Sequence, residues 1–302
     1  MVGPTPETGP DLTPIAAVAR LAASHRVRFD ELVVLKDGSN LLVHLAPVPV
    51  VLRVATFTAQ IRLEPLPWLQ READLVSYLA SVGAAVMTPS DTIPVGPHVV
   101  GGWAMSAWRY VDHRPGEVPD DRSALAALDE LHEAMRGYPG DLPLLNPAAD
   151  DLDRAIAFGV GQGLFSSDQA DDIRGRRDVA FGEVVAAAPD RQALHGDAFA
   201  QNSLVTDHGI VWIDFEDCCS GPLVWDHAIL FRRVEDEAVA AIIRSRHDPD
   251  ALQAAVALRT LQADVWGVLH EARAEGTCEP DAHHVTDRSP VSAAAVHQSA
   301  YN

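Results

Sequence analysis

The sequence is short of basic residues: 23 Lys and Arg stand against 43 Asp and Glu, a formal charge of −20. A chain this acidic repels phosphate backbones and anionic headgroups, so nucleic acid and charged membrane surfaces are not expected partners. Long apolar runs are missing too. The best stretch, residues 41–52, is broken by His44, Pro47 and Pro49 and falls short of the roughly 18 residues a membrane span needs. The start, MVGPTPETGPDL, has acids and prolines where a secretory leader is basic and apolar. Cysteine is scarce: three cannot all pair within the chain, and Cys218 and Cys219 are adjacent, an unfavourable geometry for pairing with each other. The expectation is a soluble, cytoplasmic protein with reduced thiols. Neither Gly-x-Ser-x-Gly nor Gly-x4-Gly-Lys-Ser/Thr occurs, which removes the main support for α/β-hydrolase and P-loop readings.

What is present is ordinary for a globular chain, with 47% apolar and 22% charged residues. A chain of 302 residues exceeds what one compact core usually organises, so two lobes sharing a cleft are expected. Residues 1–11 read as a flexible lead-in. Asp11 or Thr13 then caps a helix with Pro14 in its first turn, running to about His25. Three Val- and Leu-rich strands follow, ELVVLK, SNLLVHLA and PVVLRVATF, joined by turns at 37–40 and 46–49 as an antiparallel meander. Leu69, Ala73, Val76, Leu79 and Ala80 recur at helical spacing and predict a helix over 67–82. Strands at 98–100 and 103–111 flank Gly101-Gly102, and the polar block 112–121 is the expected lobe boundary.

Beyond that block the pattern turns helical: 121–136, 150–161, a helix opened by a Ser166/Gln169 capping box, then 235–246 and 248–275. A β segment at 193–215 interrupts them. The fold class expected is α+β: residues 1–111 form a small antiparallel sheet with helical support, and 112–275 a larger, mostly helical lobe. The tail 276–302 is expected to be partly disordered.

The β interruption carries the chemistry. It reads ALHGDAFAQNSLVTDHGIVWIDFEDCC: His195-Gly196-Asp197, then Asn202 five residues after the Asp, then Asp214-Phe215-Glu216. Asp207-His208-Gly209 between them is a hairpin signal. A hairpin of this length returns Asp214 towards Asn202, so Asp197, Asn202 and Asp214 converge at one end. Magnesium takes hard oxygen ligands, usually one or two carboxylates plus substrate phosphates. An Asp and an Asn carbonyl suit it, leaving the other Asp to orient a hydroxyl nucleophile, and phosphoryl transfer recruits such an arrangement. Glu216 and Asp217 lie beside it as further candidates for contacts to metal or to a cationic substrate.

His-Gly-Asp-x4-Asn followed by Ile-Asp-Phe-Glu-Asp resembles the aminoglycoside phosphotransferase family, small-molecule kinases with a protein-kinase-like fold, over roughly residues 30–275. The resemblance implies ATP or GTP as donor, a small-molecule hydroxyl acceptor, Asp197 as catalytic base, and Mg²⁺ held by Asn202 and Asp214. It also implies that Asp226, in GPLVWDHA, braces the loop that holds His195. Acceptors in that family include aminoglycosides, other antibiotics, choline, sugars and amino-acid derivatives, and no motif here selects among them. The other reading is a catalytically inactive kinase fold that binds nucleotide or a partner; the intact Asp197, Asn202 and Asp214 set argues against it.

A kinase-like fold needs three more parts in its first lobe. The turn with Gly38 and Ser39 falls where a phosphate-covering turn belongs. Arg53, on the third strand, falls where protein kinases place lysine, and a guanidinium can grip phosphate oxygens in two places. Glu72 is its expected helical partner, with Glu64, beside Pro65, as the rival. The resemblance further implies that backbone groups at Ala107 to Arg109 bond the purine, with Met105 beside the nucleotide pocket.

Overall fold

The computed structural model describes residues 12–62, 64–188 and 190–277; the lead-in 1–11 and nearly all of the tail lie outside them. The first helix, α1 (Pro14–Ser24), is capped by the Thr13 hydroxyl, which accepts the Ala16 N–H at 3.2 Å. A meander follows: β1 (Glu31–Asp37), β2 (Leu41–Ala46) and β3 (Val50–Val54). After α2 (Phe57–Arg62) and α3 (Pro65–Ser81) come β4 (His98–Val100) and β5 (Trp103–Arg109), completing an antiparallel sheet in the order β1-β2-β3-β5-β4.

Alternation along the strands gives this sheet two different faces. Leu41, Val43, Leu45, Val50, Leu52, Val54, Met105 and Ala107 are buried beneath Ala17, Val18, Leu21 and Ala22 of α1. In the same register Leu42 pairs with Arg53, and Arg53 with Ser106, so these three share the opposite face, towards α3 and the rest of the molecule. One helix on the apolar face leaves the other free to carry charge.

Residues 57–62 are helical, where the sequence suggested the end of a strand. Six residues are too few to display a 3.6-residue period. The helix exists because Phe57 and Ile61, one turn apart, pack against Leu152, Ile156, Val265 and Leu269. Its start is pinned by the Thr58 N–H, which donates to Ser39 O at 2.9 Å.

The remaining chain is mostly helical. It comprises α4 (Asp121–Met135), α5 (Asp150–Gly161) and α6 (Ser167–Ala187), then α7 (Val224–Phe231), α8 (Glu237–Ser245) and α9 (Pro249–Ala274). The Ser166/Gln169 capping box forms with both reciprocal bonds, 3.2 and 2.8 Å. Two ribbons sit among these helices. One joins β6 (Gln192–Leu194) to β9 (Cys219–Gly221), and the other joins β7 (Ser203–Thr206) to β8 (Gly209–Trp212). A large apolar core binds α3, α4, α7 and α9 around Trp212, Phe215 and Trp225. Cys218 and Cys219 are buried in it, and burial pushes the Cys218 thiol up to about 12, so both behave as core residues. The architecture is the α+β arrangement expected. Among the described residues no helix is long and apolar enough to cross a membrane.

Candidate active site

The loop after β6 is fixed from beneath by one buried carboxylate. Asp226, in the first turn of α7, accepts the backbone N–H of His195 (3.0 Å) and of Gly196 (2.9 Å). The His132 Nε2–H on α4 donates to it at 2.9 Å. Burial would raise the Asp226 carboxyl, but the His132 bond and the loop amides hold it below its usual range. Gly196 has φ +85°, and a Cβ there would lie 1.9 Å from Asp217 O, so close approach and left-handed backbone both require glycine. His195 Nε2–H donates to Ile213 O at 3.0 Å, tying the loop to the hairpin.

The hairpin β7–β8 does bring its two ends together: the Ile213 N–H donates to Asn202 O at 2.9 Å. The Asn202 amide in turn donates to both the main-chain O and Oδ2 of Asp197, each at 2.9 Å. Asp214 adopts φ +66°, a conformation Asp tolerates better than most residues, and this turns its carboxylate back towards the sheet. Asp197, Asn202 and Asp214 thus line one cavity, together with Arg53 and Ser39.

Arg53 joins sheet, helix and hairpin. Its Nη1 lies 3.0 Å from Glu72 Oε1, and its Nη2 lies 2.6 Å from Asp214 Oδ1; Glu216 Oε2 is a third neighbour at 3.4 Å. Glu72, fully buried on α3, is therefore the partner; Glu64 is exposed at the start of that helix. One guanidinium shared among three carboxylates, Glu72 buried and Asp214 and Glu216 half-buried, leaves negative charge in excess. Burial lifts Glu72 to about 8 against the pull of Arg53, and burial reinforced by Asp214 lifts Glu216 to about 7. Burial would also raise Asp214, but Arg53 and then Lys36 hold it below its usual range.

Three arginines that no motif flags complete the site. Arg62 on α2 bonds Asp217 and lies 3.1 Å from Asp151 Oδ2. Arg259 on α9 places Nη2 2.5 Å from Asp197 Oδ1. Arg232 lines the same cavity. Glu216 and Asp217, offered by the sequence as contacts for metal or cationic substrate, are instead engaged by Arg53 with Asn40 and by Arg62. A lone arginine in a helix reads as a solvated charge, so only the register of α9 reveals Arg259.

The turn over the cavity is held from α9. Arg273 donates to Gly38 O and, at 2.8 Å, to Asp37 Oδ1, while Ser39 Oγ lies 3.2 Å from His270 Nε2. Two of the purine-side expectations need correction. The N–H of Ala107 donates to Val95 O and that of Arg109 to Thr88 O, at 2.8 and 2.9 Å, because β5 is covered along both edges. Val111 and Asp112, just past the strand, have N–H groups without a protein acceptor among the described residues. Met105 lies in the core under α1, on the face away from Arg53; Ser106 and Trp108 face the other way.

Among the described residues no three His, Cys, Asp or Glu side chains assemble a self-sufficient metal site. Asn202 Oδ1 and Asp214 Oδ2 nonetheless remain without a protein donor there. Two hard oxygens on side chains lining one cavity form an incomplete set, which suits a cation shared with phosphate oxygens.

No curated protein matches the chain in sequence. Solved structures do resemble it in fold. Amicoumacin kinase hAmiN, in complex with AMP-PNP, Ca²⁺ and Ami, superposes with TM-score 0.62 at 16% identity, covering 84% of this chain and 86% of that one. The microcompartment-associated aminopropanol kinase gives 0.57 at 21%, over 87% and 95%. Choline kinase LicA from Streptococcus pneumoniae gives 0.56 at 14%, over 89% and 94%. These likenesses establish a kinase-like fold. The model of the phosphotransferase enzyme family (APH) matches residues 34–270, and the chain belongs to that family.

Proposed function

We propose that the protein transfers the γ-phosphoryl group of ATP or GTP to a hydroxyl of a small molecule, with residues 1–111 binding nucleotide and 112–275 carrying catalysis and acceptor. The observation that supports this best is the convergence of Asp197, Asn202 and Asp214 in one cavity with Arg53, which Glu72 holds from behind. Asp197 orients the acceptor hydroxyl and takes its proton as the new oxygen–phosphorus bond forms and the bond to the β-phosphate oxygen breaks. Burial raises the Asp197 carboxyl against the pull of Arg259, which favours its acting as a proton acceptor. The Asn202 amide holds it in place. Asn202 Oδ1 and Asp214 would hold Mg²⁺, which when bound neutralises charge on the β- and γ-phosphates. Arg53, fixed by Glu72, faces the α- and β-phosphate oxygens, and the turn at Gly38 and Ser39 covers them. Val111 and Asp112 offer the purine its backbone donors. Requirements for a nucleoside triphosphate and for reduced core thiols agree with a cytoplasmic enzyme.

The test is Asp197→Ala. Transfer should fall at least 10³-fold, within the range general-base and positioning groups supply, while thermal stabilisation by Mg²⁺ with ATP or GTP persists. Transfer at the original rate would refute the role of Asp197. Absence of stabilisation by either nucleotide in the unaltered protein would refute the phosphotransferase reading itself.

A further inference from the structure

The acceptor end of the cavity is basic, in a chain with 43 acids to 23 bases. The turn of α9 facing the cavity carries Arg259, Gln262, Ala263, Trp266 and His270, an i, i+3, i+4, i+7, i+11 stripe. Arg232 and Arg233, at the C-terminal end of α7, line the same space. Arg259 bonds Asp197 through Nη2 and Gln262 Oε1 through Nη1, the latter at 2.9 Å. Its Nε is buried without a partner.

Arg232 and Arg233 form no ion pair with any carboxylate among the described residues, although acids outnumber bases almost two to one in the chain. The Arg232 Nε–H donates to the Thr260 hydroxyl at 3.0 Å, and the Arg233 guanidinium stacks 5.3 Å above the Phe199 ring. Burial, then the nearness of Arg259 and Arg233, lowers Arg232 from its usual range. Three guanidinium groups drawn together with one close carboxylate, Asp197 on Arg259, leave positive charge in excess, which a further anion would offset. Asp264 offsets part of the charge on Arg232 without pairing with it, and the other carboxylates of the cavity are engaged elsewhere, Asp214 by Arg53 and Asp217 by Arg62.

We propose that the acceptor is a hydroxy compound bearing its own oxyanion, a carboxylate or a phosphate, which Arg232, Arg233 and Arg259 bind. This rests on the phosphotransferase reading and narrows it. A polycationic aminoglycoside would meet like charge at the point where its hydroxyl must approach Asp197. An oxyanion would also compete with Asp197 for Arg259, so seating the acceptor draws the guanidinium away from the base. Arginine suits this role because it binds carboxylate and phosphate oxygens in pairs.

The experiment measures nucleoside-diphosphate release from Mg-ATP and Mg-GTP with four groups of probes: glycerate and homoserine, glycerol 3-phosphate, glycerol and ribose, and choline with kanamycin. Stimulation by the first or second group supports the proposal and identifies carboxylate or phosphate as the anion. In Arg232→Gln and Arg233→Ala, both at solvent-accessible positions, KM for the active probe should rise about tenfold or more while kcat changes less than threefold. Preference for the neutral or cationic probes would overturn the proposal and leave the phosphotransferase reading intact. So would a rise in KM for nucleotide with none for acceptor. If no probe stimulates release, binding decides: stabilisation by glycerate or glycerol 3-phosphate that is lost in Arg232→Gln supports the site, and no stabilisation overturns it. Nucleotide-dependent stabilisation, measured alongside, reports separately on the broader reading.

Discussion

Removing the Asp226 carboxylate should loosen the catalytic loop by an amount that its bonds allow to be estimated. Asp226 is wholly buried and accepts from three donors, the N–H groups of His195 and Gly196 and the His132 imidazole, at 2.9–3.0 Å. Asp226→Ala strands all three. A buried donor left unpaired costs about 1–3 kcal/mol, so roughly 3–9 kcal/mol is expected from the three, against a total stability of about 5–15 kcal/mol. With an unfolding entropy near 2.1 cal/mol/K per residue, this lowers Tm by about 5–14 °C in a chain of this size. Asp226→Asn is a graded version. Its carbonyl oxygen can replace Oδ2, which serves His195 and His132, but its amide then faces the Gly196 N–H. One lost donor of three predicts roughly a third of the shift. Differential scanning calorimetry at neutral pH measures both, with diphosphate release as the functional readout. If Asp226→Ala melts within about 2 °C of the unaltered protein and keeps its activity, this carboxylate is not what holds the loop.

Other substitutions probe separate links. Gly196→Ala must either move Asp217 or change a backbone at φ +85°; left-handed geometry alone costs about 1–2 kcal/mol, and activity should drop roughly 100-fold because Asp197 is the next residue. Arg53→Lys cannot span Glu72 and Asp214 with one nitrogen, so KM for nucleotide should rise about tenfold while the fold persists; an unchanged KM would contradict the bridging role. Burial, with Arg273 and Lys36 nearby, lowers His270 to about 4, below an ordinary value near 6.5. The unfolded chain then takes up a proton first as pH falls, so this residue's contribution erodes between about pH 6.5 and 4. Melting curves of the unaltered protein and of His270→Gln should diverge across that window, the former losing more; parallel curves would show that His270 is not the source.

Much of this was legible in the sequence, for identifiable reasons. Strands whose faces differ announce themselves by alternation, so the meander and Arg53 could be placed before any coordinates. The Asp197, Asn202 and Asp214 spacing is short and spans one hairpin, which leaves little freedom in how those residues meet. Residues 57–62 and 224–231 were not legible as helices, because each is too short to show a period and both are built from strand-like residues. Met105 illustrates a different failure. Position along β5 was right, but the face depended on pairing register with β3, which sequence alone does not set. Arg62, Arg232 and Arg259 lie far from any motif, and only packing of α2, α7 and α9 around the hairpin gives them their place.

The charge of the cleft is better described by its gradient than by its sum. Towards the sheet, Glu72, Asp214, Glu216 and Asp217 outnumber Arg53, Arg62 and Lys36, and burial first, then these neighbouring carboxylates, raise Glu72 and Glu216. A cation arriving there relieves that excess. Towards the end of α7 and the middle of α9 the balance reverses, with Arg232, Arg233 and Arg259 set against Asp197 and the more distant Asp264. The metal cation of a bound triphosphate and an anionic acceptor would each be drawn to the end that lacks their charge, and the two substrates would meet at Asp197. Three acids around the hairpin are pinned by arginines from three different elements: Asp214 from β3, Asp217 from α2 and Asp197 from α9. These pairs tie the hairpin to β3, α2 and α9 across the cleft. They can be exchanged for ligand contacts without unpacking a core, since buried charges must have partners but need not keep the same ones.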